Sequence, residues 1–250
     1  MNAALAAVVF APALALGSFL NVVAARLPER RSLVHPRSAC GSCGHEIRWY
    51  DNIPLVSYAI LRGRCRDCHA SIGLSYPAVE LATGALVAAC FLRFGASGRA
   101  VVAALFCAVL VVLSAIDIER KILPDLIVLP ATAIILAAQI ALFPDRALEW
   151  VLAALFASLF LFAALLAYPQ GMGMGDVKLA LLLGAALGTS VAVGMMLGML
   201  AAMVAALVLF AEHGIRARKM AIPFGPFLAF GSVVALFGGE PLLDAYLSLF

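Results

Sequence analysis

Six side chains in this sequence have the types and spacings that do chemistry: four thiols and two carboxylic acids. Cys40-Gly-Ser-Cys43 and Cys65-Arg-Asp-Cys68 are two CxxC pairs with 21 residues between them. Thiolates are soft ligands, and two such turns converging supply the four corners of a tetrahedral zinc site. Cys40, Cys43, Cys65 and Cys68 are therefore expected to hold structural zinc, with a closed shell that leaves no place for a catalytic water. Two disulfides or four unrelated buried thiols are the competing readings. His45 and His69 beside the pairs read as outer or surface groups, and Cys90 and Cys107 as buried, apolar-like residues.

The acids are Asp117 and Asp176. Asp117 follows 17 uncharged residues, in Ser114-Ala-Ile-Asp117-Ile-Glu-Arg-Lys-Ile-Leu-Pro-Asp125. An acid at the C-terminal end of a helix meets the negative end of its dipole, which costs energy and favours a functional reading. Asp176 ends Gly171-Met-Gly-Met-Gly175-Asp176, and two readings stand for it: helix N-cap or catalytic acid. For Asp125 the N-cap reading is preferred. If Asp117 and Asp176 meet across 59 positions, they cannot both ionise; one stays protonated, the other acts as base, and together they activate water against an amide carbonyl. Gly171, Gly173 and Gly175 would let the second loop adopt positive φ and approach an extended peptide. Lys178 reads first as a cation at the membrane interface and second as a substrate contact.

What must position these groups is set by composition. The chain has 250 residues, 65% hydrophobic and only 12% charged, with net charge +3 and mean hydropathy +1.08. These values exclude a disordered chain, a disulfide miniprotein and a nucleic-acid-binding domain. Residues 1–25, 81–92, 100–116, 126–144, 150–175, 179–211 and 220–239 carry no formal charge, and a bilayer-spanning helix needs roughly 20 apolar residues. The 33-residue run 179–211 is too long for one span, and Gly188-Thr189-Ser190 is a plausible turn inside it. Eight spans result, one of them short. They place 14 of the 17 Lys and Arg residues on one face and three on the other, which marks the richer face as cytoplasmic and both termini as outside. The first helix has no cation before Arg26, so it reads as an uncleaved anchor rather than a signal peptide. Gly184/Gly188 and Gly194/Gly198 are small-residue pairs that would let helices six and seven approach closely.

The polar stretch 26–75 holds both cysteine pairs. It is too small to fold on a core of its own, and in a reducing cytoplasm zinc is the staple it needs. The expected organisation is an all-α polytopic membrane protein with about eight transmembrane helices: a first helix (1–25), a cytoplasmic zinc-binding insert between helices 1 and 2 (26–75), and a membrane domain (76–250).

Taken in order, these segments resemble the bacterial type IV prepilin peptidases, membrane aspartic peptidases of the GxGD type. Gly17-Ser-Phe-Leu-Asn-Val-Val23 with Arg26-Leu-Pro28 is similar to the family's first helix exit. Asn52-Ile-Pro-Leu-Val-Ser57, Leu61-Arg-Gly63 and Tyr76-Pro-Ala-Val-Glu-Leu81 resemble its cytoplasmic domain, although 26–39 is shorter than in some relatives. Ile116-Asp117 with Leu123-Pro-Asp125, and Gly173-Met-Gly-Asp176-Val-Lys178, resemble the two catalytic motifs; Ile222-Pro-Phe-Gly-Pro-Phe227 resembles the C-terminal signature. The resemblance implies cleavage of the basic leader of type IV prepilins and pseudopilins at the cytoplasmic face of the bacterial inner membrane. Asp117 and Asp176 are then the catalytic pair, with Gly173, Gly175 and Lys178 in the active-site loop. It also implies methylation of the new N-terminal residue with S-adenosylmethionine, for which no glycine-rich fingerprint is visible and no binding residue is named.

Three other readings are weaker. A transporter or channel needs ionisable groups along a midplane path, and the spans contain almost none beyond Glu80. A serine/lysine membrane peptidase has only Lys121, Lys178 and Lys219 to draw on, with no serine evidently paired to one. A methyltransferase with a dead protease centre sits badly with two intact aspartates.

Overall fold

A computed structural model describes residues 2–169, 171–214 and 222–247. The chain divides into two compact units, Met1–Ile116 and Asp117–Phe250. Every long element is a helix: α1 (Asn2–Arg26), α3 (Ser75–Phe94), α4 (Gly98–Arg120), α5 (Asp125–Leu142), α6 (Ala147–Ala167), α7 (Met174–Leu187), α8 (Val191–His213) and α9 (Gly225–Leu247), with the one-turn α2 (Val56–Ile60) in the polar stretch. Among the described residues there is no strand, only two isolated antiparallel bridges. Six helical stretches are long and apolar enough to cross a membrane by length and composition. One of these, Met174–His213, is interrupted at Gly188–Ser190, where a 3-10 turn separates α7 from α8 and Gly188 takes φ +57°. Arg216, Arg218 and Lys219, which enter the charge count, lie outside the described residues.

In the first unit α1 packs along α3 with its backbone close. A Cβ on Gly17 would stand 2.7 Å from the Cα of Glu80, so only glycine fits there. Asn21 Nδ2 donates to the Tyr76 carbonyl at 3.0 Å, tying the two helix ends that flank the insert.

In the second unit the helices pair through small residues. Gly184 of α7 lies against the Ala153–Ala154 backbone of α6, and Gly188 against Trp150. On α8, Gly194 faces Ser232 and Ala235 of α9 and Gly198 faces Leu228, while Gly239 of α9 meets Ser190 in the turn before α8. The numbers rise on one helix as they fall on its partner, so α6/α7 and α8/α9 are both antiparallel pairs. The glycine pairs therefore admit α6 and α9 respectively, rather than bringing α7 and α8 against each other as the sequence suggested. A glycine motif marks a close approach without naming the partner.

Candidate active site and metal centre

The cysteine cluster is built from two copies of one local fold. The Cys40 N–H donates to the His45 carbonyl and its own carbonyl accepts from Gly44; the Cys65 N–H donates to the Ala70 carbonyl and its carbonyl accepts from His69. The residue after each second cysteine, Gly44 or His69, sits at positive φ (+73° and +57°), and one antiparallel bridge closes each turn, Ala39 with Glu46 and Arg64 with Ser71. The four Sγ atoms lie within 4.8 Å of one another, and Cys40 and Cys68 are 3.7 Å apart. A tetrahedron with metal–sulfur bonds of about 2.3 Å has sulfur–sulfur edges of about 3.8 Å, so the donor set and spacing fit zinc. Backbone N–H groups of Cys43 and then Ser42 bring the Cys40 thiol down to about 6. At Cys68 the Ala70 N–H lowers the thiol, but desolvation and the three neighbouring thiols outweigh it and push it up to about 12. For all four to be thiolates at this spacing a cation would have to sit between them. His45 and His69 are exposed and contribute no ligand atom to the cluster.

The insert is held by two further features. Asp51 accepts two hydrogen bonds from the Arg66 guanidinium, Nε at 2.8 Å and the terminal nitrogen at 2.5 Å, which keeps its carboxyl below the usual range. Glu80, buried in α3, accepts the Leu55 N–H at 2.9 Å. Leu55 caps α2 at φ +59°, an unfavourable angle for leucine, so Glu80 anchors a strained turn.

For the methyl donor the residues offer no comparable fit. Among the described residues there is no strand, hence no strand, glycine turn and helix of the dinucleotide-binding kind, and no residues are assigned to the methyl donor.

Asp117 lies in the last turn of α4, 6% exposed. Its unfavourable place on its own helix is answered by another: the Gly225 N–H, at the start of α9, donates to Asp117 Oδ2 at 2.9 Å. The positive end of the α9 dipole thus meets this carboxyl. Asp176 sits in the first turn of α7, where Oδ2 accepts the Gly173 N–H at 3.3 Å. Gly173 is the N-cap, so Asp176 is a third-position acid and not the cap itself. The two carboxyls are near enough to interact electrostatically. Each stands at the N-terminus of a helix, so orphan N–H groups and a dipole end face both.

Gly173 and Gly175 do not adopt the positive φ expected of them. Gly173 is extended, and Gly175 lies inside α7, where its missing side chain admits the linker after α4: a Cβ there would stand 3.0 Å from Leu123 Cβ. Lys178 donates to both oxygens of Asp125 at 2.7 Å. Asp125 is accordingly no N-cap; Pro124 holds that position, and no side chain caps α5. Gly225 is the site residue that reading by side-chain type misses, because it contributes only a backbone N–H. Its signal was the segment Ile222–Phe227.

Comparison with known proteins matches residues 12–94 to the Bacterial Peptidase A24 N-terminal domain and residues 104–211 to the Type IV leader peptidase family. A "Prepilin leader peptidase/N-methyltransferase" of Burkholderia pseudomallei (strain 1026b) is 37% identical over 265 residues, covering 91% of this chain and 84% of the relative. The chain belongs to the type IV leader peptidase family. The likeness extends to relatives of the same name from Pseudomonas aeruginosa, 37% identical with 94% and 90% covered, and from Bacillus subtilis (strain 168), 29% identical with 97% and 98% covered. No solved structure matches the chain. As a member of this leader peptidase family the chain is an enzyme and a multi-pass membrane protein.

Proposed function

We propose that this chain is a membrane aspartic endopeptidase that removes the leader of type IV prepilins and pseudopilins, with Asp117 and Asp176 as the catalytic pair. The observation that carries the reading is that both acids, in one compact unit, accept an N–H at the start of a helix, Asp117 from Gly225 at 2.9 Å and Asp176 from Gly173 at 3.3 Å. The ionised carboxyl takes a proton from water as the oxygen attacks the scissile carbonyl, and the protonated partner donates to the carbonyl oxygen. The carboxyl that took the water proton then donates it to the nitrogen while its partner takes a proton back from a diol hydroxyl, the diol collapses, and the carbon–nitrogen bond breaks to release the amine. The products are the leader carboxylate and a pilin with a new N-terminus.

The reading extends to topology. Eight spans, supported by the turn at Gly188–Ser190 and the charge bias, put both acids at the cytoplasmic boundary of the inner membrane, with the termini outside. A prepilin is itself an apolar helix with a basic leader, so entry from the lipid aligns its junction with the acids and the bilayer does the positioning. Residues 1–25 form the first span, 26–75 the zinc-binding domain and 76–250 the peptidase domain. Cys40, Cys43, Cys65 and Cys68 hold structural zinc, which braces the insert and takes no part in hydrolysis. The relatives' printed name supports a second activity, N-methylation of the new N-terminus, for which S-adenosylmethionine would be the methyl donor; no residue of this chain is assigned to it. Nothing in the comparisons supports a transporter or channel.

The test is leader release from a prepilin co-reconstituted in vesicles, followed by mass spectrometry across pH. A single cut at the leader junction and a bell-shaped kcat/KM profile are expected, because one acid must be ionised and the other protonated. A rate with only one titrating limb contradicts the pair.

A further inference from the structure

Asp117 and Asp176 belong to separate helices, so something must fix the distance between them. The chain leaves α4 through Lys121 at φ +57°, with the Lys121 N–H on the Asp117 carbonyl at 2.9 Å. It then lays Leu123 against Gly175 and starts α5 at Asp125. Asp125 meets Lys178 with both oxygens 2.7 Å from Nζ. These residues lie eight positions after one candidate catalytic acid and two after the other. The Lys178 side chain is 32% exposed and that of Asp125 56%. An ion pair this open to solvent contributes little to overall stability, so its consequence must be sought in geometry.

We propose that Asp125 and Lys178 are positioning residues: their ion pair clamps the start of α5 to the start of α7 and so sets the separation of Asp117 and Asp176. The proposal rests on the catalytic reading above and assigns Lys178 a partner in place of a substrate. Leu123 against Gly175 supplies an apolar contact on the same linker, Gln139 Nε2 of α5 donates to the Ala186 carbonyl of α7 at 2.9 Å further along the two helices, and the ion pair fixes the end nearest the acids. Misplacement of a reacting group by about 1 Å costs about a hundredfold in rate, so a clamp of small energy has a large kinetic effect.

The experiment measures kcat and KM for prepilin cleavage in native membranes by Lys178→Met, Asp125→Asn, the double variant and Lys178→Arg, with Asp117→Asn alongside. Each single variant is expected to lose about a hundredfold in kcat with KM changed less than about threefold. The double variant is expected to be no worse than either single, because both remove one shared interaction. Lys178→Arg, which keeps the charge and can still span both oxygens, is expected to stay within about threefold of wild type. Cleavage by Asp125→Asn near the wild-type rate while Lys178→Met fails through KM would overturn the clamp and make Lys178 a substrate contact. Multiplicative losses in the double variant, or a Lys178→Arg protein as impaired as Lys178→Met, would also overturn it. Unimpaired cleavage by Asp117→Asn would refute the catalytic pair, a result separate from any of these.

Discussion

The two chemically loaded regions of this molecule are organised by opposite means. The cysteine site is made of short-range turns: each pair fixes its own geometry within about six residues, and only the meeting of the two turns is long-range. The acid site has almost no local geometry. Asp117, Asp176 and Gly225 come from three helices, and 108 positions separate the Asp117 carboxyl from the N–H that it accepts. A closed tetrathiolate can staple a segment that has little core, whereas an acid pair for catalysis must be aimed, and helix termini aim it. Both solutions put N–H groups where negative charge gathers, at Cys40 from the turn itself and at Asp117 from another helix.

That contrast can be broken from the side of the insert. Cys40→Ser together with Cys65→Ser is expected to take zinc from about one ion per chain to none and to loosen 26–75, since metal binding and folding of such a site are one equilibrium. Metal analysis with limited proteolysis checks both, and full zinc retention contradicts the tetrathiolate. On the acid side Gly225→Ala is next in size. Its Cβ would stand 2.8 Å from Asp117 Oδ2, so the carboxyl must move, and prepilin cleavage should fall about a hundredfold with zinc content unchanged. A rate within about threefold of wild type would show that the Gly225 contact does not hold the acid.

Two smaller effects are expected in the insert. Glu80→Ala leaves the Leu55 N–H without its acceptor, at a cost of about 1–3 kcal/mol, read as faster hydrogen exchange over residues 53–57. Asp51→Asn should have the least effect. Asp51 has its carboxyl lowered by Arg66, so the stabilisation it gives is present above the ordinary carboxylate range and is lost as pH falls through the lowered value. The wild-type insert should loosen on that acidification, and the Asn variant should show less of this pH dependence. Proteolysis rates at several pH values measure the difference.

The same contrast explains what could be read in the sequence. The cysteine spacing sufficed because the CxxC turn is local. Asp117 stood out because its position at a helix end is energetically wrong, and the correction, α9, is invisible until the chain folds. Asp125 and Lys178 each had a satisfactory isolated explanation, N-cap and interfacial cation; the structure gives the cap position to Pro124 and pairs the two side chains, which neither explanation supplied. For Gly175 the sequence showed the missing side chain but gave no reason for it; the reason is Leu123, 52 positions earlier. The break inside 179–211 was legible because Gly188 is suited to the left-handed angle the turn requires. Which helices Gly184 and Gly198 would admit was not, since a smooth helix face carries no address.

Whether Asp117 and Asp176 act as one pair is decided by prepilin cleavage with Asp117→Asn and Asp176→Asn, with methylation of an already trimmed pilin scored in the same membranes. Each variant should lose cleavage by about a thousandfold or more while methylation of the trimmed pilin persists. Cleavage retained by either variant would contradict the pair.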